Sequence, residues 1–125
     1  MHDHRQPMTI AVVEDDEGVR TALEQLLRSA GFRALTFESA EAFLALSDRT
    51  GVDCLIADIN LPGMSGVELV RGLDNDAHRL PAVLITGRRD AATAELTRQA
   101  GETPRLYKPF SDAALFEVID RVMHQ

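Results

Sequence analysis

The sequence predicts an α/β fold, a doubly wound five-stranded parallel sheet with five helices, and three observations predict it. Short apolar, β-branched segments alternate five times with segments of helical apolar spacing, a pattern that favours parallel strands joined by right-handed crossovers. Two of those short segments, residues 54–57 and 82–85, are apolar at every position, as strands covered on both faces are. Acids, a threonine or a lysine follow four of the five strands at their carboxyl ends, the edge where open parallel sheets bind ligands. At 125 residues the chain suffices for one domain that buries roughly two thirds of its unfolded surface.

Residues 1–8 are polar and close on a proline before the first apolar segment, so they read as a flexible leader, with the domain spanning residues 9–125. His2 and His4 within that leader read as solvated side chains, since a structural metal site needs more ligands. Residues 9–13 form the first strand and run into Glu14, Asp15 and Asp16. Over residues 17–30 the positions Val19, Leu23, Leu26, Leu27 and Ala30 keep helical spacing; Asp16 is placed to cap that helix and Gly31 to stop it. Arg33 to Phe37 make the second strand. Ser39 caps a helix with Ala42, Phe43 and Leu46 on one side.

The third strand ends at Asp58, before the turn residues Pro62 and Gly63. Ser65 and Glu68, three residues apart, match a capping box that opens a helix with Leu69, Val70 and Leu73 inward, ending at residues 74–76. Residues 81–86 make the fourth strand, terminating in Thr86. Between Asp90 and Ala100 only Ala94, Leu96 and small alanines offer an apolar face, which predicts a thinly packed, mobile helix closed by Gly101. Arg105 to Tyr107 make a short fifth strand. Ser111 caps the last helix, with Leu115, Phe116, Val118, Ile119 and Val122 inward. For a chain of this length the economical arrangement is the flavodoxin-like strand order 2-1-3-4-5.

Net charge is −7, and residues 1–62 carry most of it, with 5 basic groups against 11 acidic ones. That balance, and the lack of a basic recognition helix, argue against direct nucleic-acid binding. No apolar run approaches the roughly 18 residues of a membrane span, and there is no signal-peptide core, so a cytoplasmic setting is expected. Cys54 lies within an apolar run and reads as a small buried hydrophobe.

In the expected strand order Glu14, Asp15, Asp58, Thr86 and Lys108 converge on one edge. At an effective dielectric near 20, two carboxylates about 5 Å apart repel by roughly 3 kcal/mol. A hard divalent cation and an ammonium would offset this, and open acidic clusters suit Mg²⁺. Lys108 is the one lysine beside 12 arginines, consistent with a site that takes a compact point charge rather than a guanidinium fork. With phosphoryl oxygens held by metal and ammonium, the Asp58 carboxylate is a nucleophile for phosphorus, and Thr86 offers a hydroxyl donor.

Four stretches carry a resemblance: Val12-Val13-Glu14-Asp15-Asp16, the run from Asp58 through Asn60, Pro62 and Gly63 to Gly66, Ile85-Thr86-Gly87, and Lys108-Pro109-Phe110. Together they resemble the receiver domain of two-component response regulators, over about residues 10–122. Glu41-Ala42-Phe43-Leu44 adds a likeness to receivers that precede a helix-turn-helix output domain. The resemblance implies Asp58 as phosphoacceptor, Glu14 and Asp15 as the Mg²⁺-binding pair, and the Asn60 backbone carbonyl as a further ligand. It implies Thr86 as switch residue, Lys108 as phosphoryl partner, and a cis Lys108–Pro109 bond. The phosphodonor would be a histidine kinase or histidine phosphotransfer protein. A downstream protein or a second copy would bind the face of the fourth helix, fifth strand and fifth helix.

One position departs from the pattern. The family's aromatic switch stands three residues before the lysine, where this chain has Arg105; Tyr107 lies two positions along on the same strand face. Arg105 and Tyr107 are therefore the switch or partner candidates, and Arg88-Arg89 reads as a solvated loop. Two rivals stand beside the receiver reading: a scaffold that binds without phosphorylation, and a small aspartyl-phosphate phosphatase, for which these 125 residues leave no cap domain to build a substrate pocket. A flavin site fits worst, since no Ser/Thr/Gly-rich loop follows the first strand.

Overall fold

The computed structural model describes residues 7–74 and 80–124. Elements run β1 (Thr9–Val13), α1 (Glu17–Ser29), β2 (Arg33–Phe37), α2 (Ala40–Leu44), β3 (Cys54–Asp58), α3 (Gly66–Asp74), β4 (Ala82–Thr86), α4 (Ala91–Gln99), β5 (Arg105–Tyr107) and α5 (Asp112–Met123). The strands form one parallel sheet in the order β2-β1-β3-β4-β5. This is the predicted flavodoxin-like order, with its reversal between β1 and β3.

Strict alternation along the central strands decides which helices cover which face. Ala11, Val13, Leu55, Ala57 and Leu84 point to one side, where Phe43 of α2 and Val67, Leu69, Val70 and Leu73 of α3 close a core. Ile10, Val12, Cys54, Ile56, Val83 and Ile85 point to the other, against Leu23 and Leu27 of α1 and Leu115, Val118, Ile119 and Val122 of α5. All five residues of β1, β3 and β4 are buried, which is why two of those strands read as unbroken apolar runs. Burial of the Cys54 thiol pushes its pKa up to about 12, so it stays an inert protonated group.

Helix ends follow local chemistry. The side chains of Asp16, Ser39, Asp90 and Ser111 accept the backbone N–H three residues on, at 2.8–3.0 Å. The predicted capping box forms reciprocally: Glu68 N–H donates to Ser65 Oγ at 3.0 Å and Ser65 N–H to Glu68 Oε1 at 3.1 Å. After α1, Gly31 takes φ 93°. Gly31 N–H then donates to the Arg28 carbonyl and Phe32 N–H to that of Leu27, the two bonds of a Schellman stop.

Some boundaries differ from the sequence reading. α2 is only five residues long and ends before Leu46, which is half-buried beyond it. Residues 1–6, with His2 and His4, lie outside the described residues, as do residues 75 and 76 of the expected stop after α3. Met8, the last residue of the expected leader, belongs to the fold, its carbonyl accepting Arg33 N–H at 2.9 Å. The Lys108–Pro109 bond is cis.

α4 is the thinly covered helix the sequence predicted. Its one buried side chain is Thr93, while Leu96 and Ala100 are half-buried against the core.

Candidate functional site

Strand register brings the site residues level. Asp58 pairs with Ile85 and Thr86 with Tyr107. Beyond the strand ends Glu14 N–H reaches the Phe37 carbonyl, Ile59 N–H that of Ile85, and Lys108 N–H that of Thr86. Each strand therefore delivers its terminal side chain to the same edge.

Glu14 is fully buried, Asp58 is 6% exposed and Asp15 is exposed. One carboxylate oxygen from each lies within 4.8 Å of the others. Lys108 bridges two of them, its Nζ 2.7 Å from Glu14 Oε1 and 2.9 Å from Asp58 Oδ2. Asp58 Oδ1 accepts Asn60 N–H at 2.8 Å, and Glu14 Oε2 accepts Asp16 N–H at 3.2 Å.

One ammonium does not balance three acids. Burial raises the Glu14 pKa to about 7; the Lys108 hydrogen bond works against that rise, and the Asp58 charge adds to it. Burial disfavours the charge on Lys108, but hydrogen bonds and attraction from Glu14 and Asp58 outweigh it and hold its pKa above the usual lysine value. The donors in the cluster are all hard oxygens, two of the three acids are buried, and negative charge is left over. That set fits Mg²⁺ and does not suit a soft metal.

Thr86 is fully buried at the end of β4, yet its hydroxyl does not bond Asp58. It donates to Asn60 Oδ1 at 2.7 Å and accepts Arg88 N–H at 3.1 Å. Asn60 Nδ2 in turn donates to Thr93 Oγ1 at 2.9 Å.

Arg105 and Tyr107 part company on β5. The Arg105 guanidinium folds onto α4 and the turn after it, donating to the carbonyls of Thr97, Gly101 and Thr103 at 2.6–3.3 Å. Tyr107 is 37% exposed, with the Arg89 guanidinium 4.3 Å above its ring centre. Half of the predicted solvated arginine pair is thus packed on an aromatic. Asp15, Asn60, Pro62, Gly63 and Arg88 line an open groove beside the acids.

Three supporting residues escaped the sequence reading. Arg20 Nη1 donates to the Glu14 carbonyl at 2.8 Å and to that of Asp15 at 3.4 Å, gripping the backbone of the acidic pair from α1. Thr93 connects α4 to Asn60. Gly66 packs directly on the backbone of Asp58. A cap pattern at Asp90 marks Thr93 locally, but its partner Asn60 lies 33 residues away; nothing local marks the contacts of Arg20 or Gly66.

A doubly wound sheet in this order, with an acid cluster and one lysine at the strand-end edge, defines the receiver class. The chain belongs to the response regulator receiver domain family, whose model matches residues 10–120. It is therefore a receiver domain of two-component response regulators. Among its relatives, the transcriptional regulatory protein FixJ of Rhizobium meliloti (strain 1021) is 38% identical over 113 residues, 90% of this chain and 55% of FixJ. The response regulator protein TmoT of Ectopseudomonas mendocina is 36% identical over 118 residues, 94% of this chain and 54% of TmoT. The chain spans about half the length of these curated relatives. Among solved structures, FixJ-N matches at 36% identity with a TM-score of 0.83, over 100% of this chain and 97% of that one. A CheY-like receiver domain protein from Methanospirillum hungatei JF-1 shares the fold, with a TM-score of 0.82 over 95% of each chain at 23% identity. Among the described residues no helix is long and apolar enough to cross a membrane.

Proposed function

We propose that Asp58 accepts a phosphoryl group from the phosphohistidine of a histidine kinase or histidine phosphotransfer protein, and that this changes the affinity of the chain for a partner. The observation that supports this best is the Lys108 bridge: a nearly buried carboxylate at a ligand-binding sheet edge, 2.9 Å from an ammonium. A carboxylate oxygen of Asp58 attacks phosphorus, and the P–N bond to the donor imidazole breaks with its electron pair passing to nitrogen. An acyl phosphate remains on Asp58.

Glu14, Asp15, Asp58 and the backbone carbonyl of Asn60 are the groups that would hold Mg²⁺. When bound, the ion supplies charge neutralisation at the phosphoryl oxygens. Lys108 serves the same end from just beyond β5, and it holds Asp58 in place before the donor arrives. Arg20 fixes the backbone of Glu14 and Asp15. Thr86 donates its hydroxyl to a phosphoryl oxygen once it has left Asn60.

The chain turns over no external substrate on this reading; it assists its own phosphorylation and dephosphorylation, in a cytoplasmic setting. The face built by α4, β5 and α5, where Arg89 covers Tyr107, is where a downstream protein or a second copy responds.

The test is intact mass after incubation with acetyl phosphate, with and without Mg²⁺, on the native chain and on Asp58→Ala. One phosphoryl group that requires both Mg²⁺ and Asp58 is expected. No addition to the native chain would overturn the reading in favour of a scaffold that works by contact alone.

A further inference from the structure

We infer that Asn60 and Thr93 are positioning residues that hold the Thr86 hydroxyl away from the phosphoryl site, and that phosphorylation loosens the start of α4 by taking Thr86 from them. The inference rests on Asp58 being the phosphoacceptor. Its ground is a chain of side-chain hydrogen bonds from Thr86 to Asn60 and from Asn60 to Thr93.

Asp90, the N-cap of α4, carries a carboxylate that only accepts. It takes the Thr93 N–H at 2.8 Å, and bonds from that N–H and from the Thr93 hydroxyl hold its pKa below the ordinary carboxylate value. Thr93 has one hydroxyl proton. The Asn60 amide presents its nitrogen to Thr93 Oγ1 at 2.9 Å and its oxygen to Thr86 Oγ1 at 2.7 Å, so Thr93 accepts from Asn60. The Thr86 hydroxyl then has to donate to Asn60. Every member is satisfied, and the row of protons runs one way from β4, through the loop after β3, to the first turn of α4.

Thr86 also has a single hydroxyl proton. Donating it to a phosphoryl oxygen on Asp58 leaves Asn60 Oδ1 without its donor, in a site where Thr86 is fully buried and Thr93 is 1% exposed. Phosphate and Asn60 Oδ1 therefore compete for one proton, Asn60 loses the bond that steadies its amide against Thr93, and the competition is reciprocal. Thr93 is the one buried side chain of α4, so weakening its bond to Asn60 frees the helix start. Arg105 holds the other end through the carbonyls of Thr97, Gly101 and Thr103, which confines the loosening to the first turns.

The test is amide exchange at Thr93, Ala94 and Glu95, with the Thr86 χ1 angle read from NMR couplings, on the full chain with phosphorylation followed by intact mass. In the native chain exchange rises about tenfold on phosphorylation, the factor set by losing one buried hydrogen bond. In Thr93→Val the rise is present beforehand, Thr86 χ1 is averaged, and phosphorylation adds less than about twofold; Thr93→Ser, which keeps the hydroxyl, restores native behaviour. A purely structural role for Thr93 would change melting but leave Thr86 χ1 fixed and the phosphorylation response intact, and that result overturns the inference. Addition of phosphate to Asp58 with unchanged α4 exchange overturns the latch alone. No addition of phosphate overturns the proposed function and the latch with it.

Discussion

A Cβ added to Gly66 would lie 2.2 Å from the backbone carbonyl oxygen of Asp58 and 2.8 Å from its carbonyl carbon. The first residue of α3 thus sits against the peptide that carries the acidic side chain, and neither backbone has room to yield. Gly66→Ala is expected to push α3 off β3, costing about 1–3 kcal/mol of stability, as overpacking of a closed site does. Urea denaturation measures the cost. A variant as stable as the native chain would show that the contact relaxes freely.

Removing Lys108 leaves two buried carboxylates facing each other. Lys108→Ala is expected to cost about 3–5 kcal/mol at pH 8 without Mg²⁺, the usual penalty for breaking a buried pair from one side. Near pH 5, where Glu14 is protonated, the cost is smaller. Paired melts at the two pH values check this.

Glu14 gives the metal-free chain an inverted pH dependence. Its folded pKa of about 7 stands above the ordinary value of 4.5. The group's contribution to stability is therefore fully present below pH 4.5 and is lost as pH rises through about 7. Glu14→Gln, which stays uncharged, is expected to be more stable than the native chain at pH 8 and to lose that advantage near pH 5. Mg²⁺ reverses the trend: its affinity for the native chain rises about tenfold per pH unit below that pKa, because the proton and the metal compete. Calorimetric Mg²⁺ titrations at pH 6 and pH 8 measure the slope, and a flat affinity would contradict the burial argument.

Arg105→Ala removes three hydrogen bonds to the end of α4 and its following turn. Stability is expected to fall by about 1–2 kcal/mol, with faster amide exchange concentrated at residues 97–103. Arg105→Lys recovers little, since a point charge cannot span three carbonyls as the guanidinium fork does. Exchange measured residue by residue distinguishes this from a global loss.

How much the sequence discloses depends on how far apart the partners lie. Caps at Asp16, Ser39, Asp90 and Ser111 act over three residues, and strand burial follows a period of two, so both are legible without a fold. Lys108 and Asp58 are 50 residues apart, yet their meeting was legible too, because parallel strands deliver all their carboxyl ends to one edge. Arg20, Gly66 and the Asn60–Thr93 bond were not. Each depends on how a helix sits over the sheet, which local propensity does not encode. Arg105 shows the same limit: its position was readable, but its direction, back onto α4 rather than toward the acids, follows from three carbonyls that only the folded turn presents.

The first turn of α4 meets the fold through the Thr93 hydroxyl, while its hydrocarbon contact, Leu96, lies further along and is only half-buried, and this bears on the thermal signature of switching. Loosening a helix docked by leucines exposes apolar area and raises the heat capacity. Freeing a helix start whose one buried side chain is Thr93 exposes almost none. The transition should carry little heat-capacity change, so its enthalpy stays nearly constant and the balance between held and freed helix follows a straight van't Hoff line between cold and warm growth.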